Sequence, residues 1–302
     1  LRILFMEITN NLNQDIIHAP QWFKDAIEDK PSSEIIKNPH GDISYSSWNS
    51  KDESKDLIIL IHGTGAHKKW WDPIAPHFRD CANIVAIDLP GMGDSSFRDS
   101  YGIKDFGECI VSVIEKEKDK KNISNIFIVG HSLGGHVAGY VASERKDLIN
   151  NIIIIDTFIR PPDYDPNQHS SPLRMIKHYQ DKTDIIKRFR LMPKQDCTND
   201  WYLRYIAEYS VKNIEAGWRW KFDDVMFSSL ERLFGYTFSF GCPALFIHGE
   251  DSLLTSGSIL DNIKNTYGDI MTFEGVPGAA HHVPLDKPLE LVSIIKEHLY
   301  KN

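Results

Sequence analysis

The sequence has few cysteines, and their spacing excludes the usual cysteine-based sites. Only four occur among 302 residues, and no two are spaced as in a CxxC redox motif or a zinc site. Reduced thiols of this kind are typical of a cytoplasmic protein, and we predict that location. A disulfide between Cys197 and Cys242 stays an alternative. The four cysteines are Cys81, Cys109, Cys197 and Cys242.

The sequence also lacks a basic surface signal and a long hydrophobic run. Its formal net charge is -8, and its lysines and arginines are scattered, so it has no electrostatic footprint for nucleic acid. No segment approaches the ~18 consecutive apolar residues of a membrane span. We therefore predict that the protein neither binds nucleic acid nor spans a membrane, and we leave its oligomeric state open.

Short apolar runs alternate with helical patterns along most of the chain. The runs have the length and the Ile, Val, Leu and Phe content of strands buried on both faces of a sheet. Strand followed by helix, repeated, predicts an α/β fold with a mostly parallel sheet of about eight strands and flanking helices. Five of the predicted strands are residues 57–61, 84–87, 126–129, 152–155 and 244–247, and three of the predicted helices are residues 70–79, 103–118 and 133–144.

The alternation stops after Asp156, where the sequence becomes rich in aromatic residues and shows helical rather than strand patterns. We predict that residues 161–240, opening with a polar stretch at 161–172, form a helical lid inserted into a core of residues 1–160 and 241–302. The aromatic side chains of the lid predict an apolar substrate pocket, although packing within the lid is an alternative for each of them. The candidate pocket residues are Trp218, Trp220 and Phe222.

Polar and glycine-rich motifs follow the predicted strands at the point where each strand ends. Ligands of open parallel sheets bind beyond the carboxyl ends of the strands, so we expect these motifs to converge at one edge of the sheet. That convergence predicts a single functional site. The motifs are HGTG (62–65), DLPGMGDS (88–95), GHSLGG (130–135), HGEDS (248–252) and GAAHH (278–282).

Ser132, in the GHSLGG motif, is the predicted nucleophile. A strand, a sharp turn and a helix are predicted in immediate succession, and Gly130 and Gly134 let the backbone pass closely without Cβ clashes. Such a turn exposes the serine Oγ and points the backbone N–H of Leu133 at the same place, beside the positive end of a helix. A tight turn without a catalytic role is the alternative.

A serine is a weak nucleophile and needs a general base. Among thirteen histidines, His281 is the best placed, in a small-residue loop between the last predicted strand and the last predicted helix, and His282 is its nearest rival. His131 and His136 flank the serine, and we expect them to be structural. The predicted base is therefore His281.

The motifs HGTG, DLPGMGDS, GHSLGG and GAAHHVPLDKP, in this order, resemble those of the α/β-hydrolase family over nearly the whole chain outside the predicted lid. The resemblance implies a Ser–His–acid triad and an oxyanion hole formed by the backbone N–H groups of Thr64 and Leu133. It also implies chemistry that needs neither a cofactor nor a metal.

The acid of the implied triad has two candidates. In most of the family it lies three residues past a glycine, after the strand that follows the lid, but Ser252 occupies that place here and Asp251 comes one position early. The sequence is similar to a subgroup of esterases in which the acid ends the strand before the lid and a serine takes the usual acid place. That resemblance implies Asp156 as the acid and Ser252 as a supporting hydrogen-bonding residue, with Asp251 as the alternative.

Together these residues predict a serine hydrolase that cleaves a carboxylic ester, or a related acyl bond, of a small and largely apolar substrate through an acyl-enzyme. Ser–His–acid sets also carry out acyl transfer and C–C bond hydrolysis, and some proteins of this fold are small-molecule receptors with little turnover. Those functions stay alternatives, and a turnover measurement separates a receptor from an enzyme.

Overall fold

The computed structural model describes residues 8–160, 177–231 and 236–300. The polar stretch 161–172, predicted to open the lid, lies outside the described residues. The strands are β1 (Ser32–Ile36), β2 (Ile43–Trp48), β3 (Asp56–Ile61), β4 (Asn83–Ile87), β5 (Tyr101–Gly102), β6 (Asn125–His131), β7 (Asn151–Ile155), β8 (Val211–Ile214), β9 (Gly217–Trp220), β10 (Leu230–Glu231), β11 (Ala244–Gly249) and β12 (Thr272–Val276).

Helices flank the sheet and connect its strands. Two of them, α3 and α4, confirm the helices predicted from residues 103 and 133. The helices are α1 (Leu12–Asp15), α2 (Gln21–Glu28), α3 (Ile103–Lys120), α4 (Leu133–Glu144), α5 (Lys182–Ile186), α6 (Asp200–Tyr209), α7 (Asp224–Ser229), α8 (Gly257–Tyr267), α9 (Val283–Asp286) and α10 (Pro288–Tyr300).

Eight strands of the described residues form one sheet, in the order β1-β2-β4-β3-β6-β7-β11-β12. β2 pairs antiparallel with β1 and with β4, and the remaining neighbours are parallel. The predicted α/β fold with a mostly parallel sheet is confirmed. The carboxyl ends of the parallel strands lie at one edge, where the polar motifs follow them.

The sheet is buried on both faces because its central strands are continuous apolar runs. In β3, Leu57, Ile59 and Ile61 pack on one face together with side chains of α3 and α4. Ile58 and Leu60 pack on the other face with side chains of α10. Alternate side chains of a strand point to opposite faces, so an unbroken apolar run is stable only between two covering layers.

The prediction of a helix at residues 70–79 is wrong. The chain forms two short 3₁₀ turns there instead, Lys68–Trp70 and Ala75–Phe78. Pro73 and Pro76 lie in this segment and lack the backbone N–H that a continuing α-helix needs. The segment still buries its apolar side chains against the sheet, which explains its helix-like hydrophobic spacing.

The insertion between β7 and β11 contains strands as well as helices, so the prediction that it lacks strand character is wrong. Besides α5, α6 and α7 it holds an antiparallel hairpin of β8 and β9. The two-residue turn of Glu215 and Ala216 joins these strands, and Gly217 follows with φ 108°, in the left-handed region that favours glycine. A Cβ on Gly217 would lie 2.6 Å from the carbonyl oxygen of Tyr179, so the hairpin needs glycine at this position. The role of the insertion as a lid stays a prediction.

A third apolar cluster joins the insertion to the N-terminal segment. The ring of Phe23, in α2, is fully buried and lies 4.5 Å from the ring of Trp201 and 5.4 Å from that of Tyr202, both in α6. Arg204 of α6 is also fully buried, and its Nε donates to Oδ2 of Asp15 at 2.9 Å. The insertion is therefore held by residues that precede the sheet as well as by the core.

Candidate active site

The turn at Ser132 is strained and depends on two glycines. Ser132 has φ 55° and ψ -117°, a conformation that non-glycine residues rarely adopt, and α4 begins at the next residue. A Cβ on Gly130 would lie 2.2 Å from the carbonyl oxygen of Gly134, and a Cβ on Gly134 would lie 2.4 Å from that of Ile61. The Ser132 N–H donates to the carbonyl oxygen of Ile155 at 2.9 Å, which ties the turn to β7.

Two backbone segments meet at Ser132. Leu133 is the first residue of α4, so its N–H has no partner inside the helix and lies at the positive end of the helix dipole. Gly63, in the HGTG loop, lies against the same turn, since a Cβ there would be 3.1 Å from the Cβ of Ser132. The structure therefore brings together the two predicted oxyanion-hole segments, those of Thr64 and Leu133.

A neutral histidine holds the HGTG loop. Nε2 of His62 accepts the Leu89 N–H at 3.1 Å, so Nδ1 carries the ring proton and donates to the carbonyl oxygen of Gly63 at 2.8 Å. Burial lowers the pKa of His62, which keeps the ring neutral. In the same loop, the Gly65 N–H donates to Sδ of Met92 at 3.2 Å. These contacts fix the HGTG loop to the DLPGMGDS segment.

An ion-pair network centred on the buried Lys68 and Asp88 fastens the same two segments. The Lys68 side chain, 4% exposed, pairs with the fully buried Asp88 and with Asp94, the latter at 2.8 Å. Burial alone would lower the pKa of Lys68, but the two carboxylates outweigh burial and raise it. Lys221 of the insertion also pairs with Asp94, at 2.5 Å. The network therefore links the core loops to the insertion.

Asp156 directly follows β7, and its carboxylate is fully buried. Oδ1 lies 2.8 Å from Nδ1 of His281 and accepts the Ser252 hydroxyl at 2.7 Å. Oδ2 accepts the Gly249 N–H at 2.9 Å and the Thr255 hydroxyl at 2.6 Å. Because a buried carboxylate is costly without partners, these four hydrogen bonds explain how Asp156 is accommodated.

The alternative acid, Asp251, differs from Asp156 in its exposure. Its residue is exposed, and its backbone N–H donates to the carbonyl oxygen of Ala279 at 2.9 Å. The structure thus brings Asp156, Ser252 and His281 together. Thr255 is a fourth member that the sequence did not indicate, because a hydroxyl residue in a polar loop has no distinguishing spacing.

Three histidine rings, including that of His131 beside Ser132 in the chain, pack together. The ring centroids of His131 and His281 are 4.8 Å apart, and that of His282 lies 4.8 Å from His281 and 5.6 Å from His131. Nε2 of His131 donates to the carbonyl oxygen of His281 at 2.9 Å. Burial and the neighbouring His281 lower the pKa of His131, and burial with both neighbours lowers that of His282. Both flanking rings are therefore neutral, and His131 supports the turn of His281.

The three predicted pocket aromatics differ in their distance from the HGTG loop. Phe222 approaches the HGTG loop. A Cβ placed on Gly65 would lie 3.9 Å from the ring edge of Phe222 and 3.4 Å from the ring edge of Phe227. The ring of Trp220 stacks on that of Phe222, with centroids 6.5 Å apart, and its centroid lies 6.0 Å from that of Phe189. The Trp218 ring is covered by the Lys182 ammonium at 5.3 Å, which is also within the insertion.

The four cysteines are free thiols, so Cys197 and Cys242 are not joined. Across residues 8–160, 177–231 and 236–300, no group of three or more His, Cys, Asp or Glu side chains is arranged to hold a metal ion. In the same part of the chain, no helix combines the length and the apolar character needed to cross a membrane.

A sequence model of the alpha/beta hydrolase fold matches residues 56–288. The chain belongs to the α/β-hydrolase family. The matched range runs from β3 to the first residue of α10 and contains Ser132, Asp156 and His281. The N-terminal segment and the antiparallel strands β1 and β2 precede it.

Proteins similar to this α/β-hydrolase include esterases. A pimeloyl-[acyl-carrier protein] methyl ester esterase of Neisseria meningitidis is 31% identical over 111 residues, which are 37% of this chain and 40% of that protein. The match thus spans less than half of that relative. Esterase Rv0045c of Mycobacterium tuberculosis is 21% identical over 281 residues, covering 88% of this chain and 89% of its own. Among solved structures, a thioesterase domain from the curacin biosynthetic pathway has a TM-score of 0.71 at 21% identity, covering 88% of this chain and 99% of that one, a likeness of fold.

Proposed function

We propose that the protein is a serine hydrolase that cleaves a carboxylic ester of a small, largely apolar substrate. The observation that carries the proposal is the contact of Asp156 with Nδ1 of His281 at 2.8 Å, at the sheet edge where Ser132 occupies a strained turn. A nucleophile, a base and an acid at one edge support acyl transfer chemistry more strongly than any single motif. Relatives named as esterases support the same class of reaction.

The proposed base is His281. An ionised carboxylate only accepts hydrogen bonds, so Nδ1 of His281, 2.8 Å from Asp156, carries the ring proton. Nε2 then has a free lone pair and takes the hydroxyl proton of Ser132 while Oγ attacks the carbonyl carbon of the ester. Asp156 stabilises the imidazolium that results and holds the ring in this tautomer.

The proposed oxyanion hole consists of the N–H groups of Thr64 and Leu133. One such donor typically contributes ~3 kcal/mol of transition-state stabilisation. The His281 imidazolium gives its proton to the leaving alcohol oxygen as the C–O bond breaks, which leaves the acyl group on Ser132. A water molecule that passes its proton to His281 attacks the acyl carbon, and Ser132 leaves with that proton as the acid product forms. This proposed cycle uses no cofactor.

The proposed substrate is apolar because aromatic rings approach the proposed oxyanion loop. Phe222 and Phe227 pack edge to face, with ring centroids 5.2 Å apart, and both lie against Gly65, the residue after Thr64. An acyl or alkyl group packed against these rings is stabilised by about 25 cal/mol for each Å² of apolar surface that it buries. We further propose that the protein acts in the cytoplasm, where its free thiols stay reduced.

Hydrolysis of p-nitrophenyl esters of increasing acyl length tests this proposal. Ser132→Ala should lower steady turnover by at least about 10³-fold, because the nucleophile is lost. Ser112→Ala is the matched control, since the Ser112 hydroxyl donates to the Glu108 carbonyl within α3 at 2.9 Å, and it should leave turnover unchanged. Turnover that survives in Ser132→Ala would refute the proposal. A single burst without steady turnover would favour a receptor, and complete inactivity would favour non-ester chemistry.

A further inference from the structure

Two amide side chains of the insertion fasten it to the turn that carries His281. Gln195 and Asn199 both precede α6, and Nδ2 of Asn199 donates to the carbonyl oxygen of Leu285 at 2.8 Å. Gln195 reaches the residue next to His281, because its Oε1 accepts the N–H of His282 at 3.0 Å. We propose that Gln195 is a positioning residue that holds His281 in place as the general base, a role that rests on the proposed function.

The partners of Gln195 fix the orientation of its amide. Oε1 faces the His282 N–H, which only donates, and Nε2 lies 2.8 Å from Oδ2 of Asp286, which accepts. Turning the amide over would break both hydrogen bonds. Nδ1 of His282 lies 2.6 Å from the same Oε1, so this nitrogen carries the ring proton. Burial keeps the pKa of His282 well below its usual value, so the ring is the neutral Nδ1–H tautomer.

These contacts hold both chain neighbours of His281. On one side, Gln195 accepts the N–H of His282 directly. On the other side, Asp286 accepts the N–H of Ala280 at 2.9 Å through Oδ2, the oxygen that also accepts from Gln195. One side chain of the insertion is therefore connected to the backbone immediately before and immediately after His281.

The position of His281 matters because its ring must meet two partners at once. Nδ1 contacts Asp156 at 2.8 Å, and Nε2 must reach Ser132 in the proposed reaction. A misplacement of ~1 Å in a catalytic group costs roughly 10²-fold in rate. Gln195 acts through the backbone of the turn, so its loss should impair the base without removing a substrate contact. The insertion thereby contributes to the catalytic machinery as well as to the surroundings of the HGTG loop.

Gln195→Met tests the role by keeping the length of the side chain and removing its hydrogen bonds. We expect kcat to fall about tenfold and KM to change by less than about twofold, at every pH at which the wild type is active. A purely structural role would instead lower the Tm without this split between kcat and KM. Thermal unfolding of each variant shows whether the fold is retained.

Gln195→Glu adds a readout that depends on pH. The introduced carboxylate would face Asp286, whose pKa is raised by burial, so the two groups share one proton in acid and repel each other once it is lost. Two charged groups also act on Asp286: Lys287 favours its charged form, and Asp251 disfavours it. The loss of kcat should therefore grow from about twofold near pH 5 to about tenfold near pH 8.

The matched control is Gln21→Glu, at an exposed position of helix α2. Nε2 of Gln21 donates to Oδ1 of Asp25 at 2.7 Å, the same amide–carboxylate pair away from the site, and this variant should keep the wild-type kcat at each pH. Histidine ¹⁵N spectra provide a second readout, in which the Nδ1–H signal of His282 should shift in Gln195→Met.

The two proposals fail in different ways. If the wild type turns over esters, and Gln195→Met stays within about twofold of its kcat while Gln195→Glu shows no growing loss with pH, the positioning role is overturned and the proposed function stands. If the wild type turns over no ester, the proposed function is overturned, and the positioning role falls with it.

Discussion

Asp156→Asn replaces one oxygen of a fully buried carboxylate by an NH₂ group, and the surrounding donors decide how the new amide turns. The Gly249 N–H, 2.9 Å from Oδ2, can only donate, so the amide oxygen must face it. The NH₂ group then faces Nδ1 of His281 and the Ser252 hydroxyl, which now bond Oδ1 at 2.8 and 2.7 Å. Nδ1 of His281 must become an acceptor.

The tautomer of His281 determines the size of the effect. With Nδ1 as an acceptor, the ring proton moves to Nε2, which can no longer take a proton from Ser132. Turnover should fall on the order of 10⁴-fold, which corresponds to about 5 kcal/mol of activation free energy. The fold should persist, because the hydroxyls of Ser252 and Thr255 can rotate to donate or accept.

Steady-state turnover of the best p-nitrophenyl ester measures this loss, and Asp251→Asn is the matched control. Asp251 is exposed, and Nδ1 of His281 is bonded to Asp156, so the Asp251 variant should stay within about twofold of the wild type. Histidine ¹⁵N spectra report the tautomer of His281 directly. The reasoning is refuted if Asp156→Asn retains turnover within about tenfold of the wild type, or if Asp251→Asn loses as much as Asp156→Asn.

Two further predictions concern stability. Gly134→Ala should lower the free energy of unfolding by about 3 kcal/mol, because its Cβ would lie 2.4 Å from a backbone oxygen of β3. Denaturant unfolding measures this free energy. Gly102→Ala is the control, since the nearest atom to its Cβ is a movable side-chain carboxylate at 3.1 Å. Equal losses of stability in the two variants would contradict the close approach at Gly134. Lys221→Met should lower the Tm near neutral pH. Burial alone would raise the pKa of Asp94, but Lys68 and Lys221 hold it below its usual value. The pairing of Asp94 with these lysines therefore stabilises the fold above about pH 4, and this stabilisation is lost as pH falls through the depressed pKa. The difference in Tm should shrink below about pH 4, and a difference independent of pH would contradict the assignment.

Features that depend on neighbouring residues could be predicted from the sequence. The turn at Ser132 needs glycine at 130 and 134 because backbone atoms pass within van der Waals distance there, and the motif itself indicates this. The continuous apolar runs predicted strands buried on both faces, and the sheet has that arrangement. In both cases the physical constraint acts on a few consecutive residues.

Sequence-based predictions failed in two segments where the same residue pattern is compatible with two different local structures. The apolar spacing at 70–79 fits a helix, but Pro73 and Pro76 remove the N–H groups that a helix needs, and packing against the sheet gives the same spacing in 3₁₀ turns. In the insertion, the sequence pattern indicated helices rather than strands. The left-handed Gly217 and its close approach to Tyr179 instead allow β8 and β9 to form a hairpin. Tertiary contacts decided both segments.

The sequence by itself determined the fold class, the strained turn and the small set of residues from which a site could be built. It did not determine which of them meet, because Asp156 and His281 are 125 positions apart, and Gln195 and His282 are 87 apart. The order of the strands decides the first contact, since β11 lies between β7, which Asp156 follows, and β12, which precedes the loop of His281. The packing of the insertion on the core decides the second. Such side-chain contacts stabilise the fold only after distant segments have been brought together at a cost in chain entropy. Only the tertiary structure therefore specifies them.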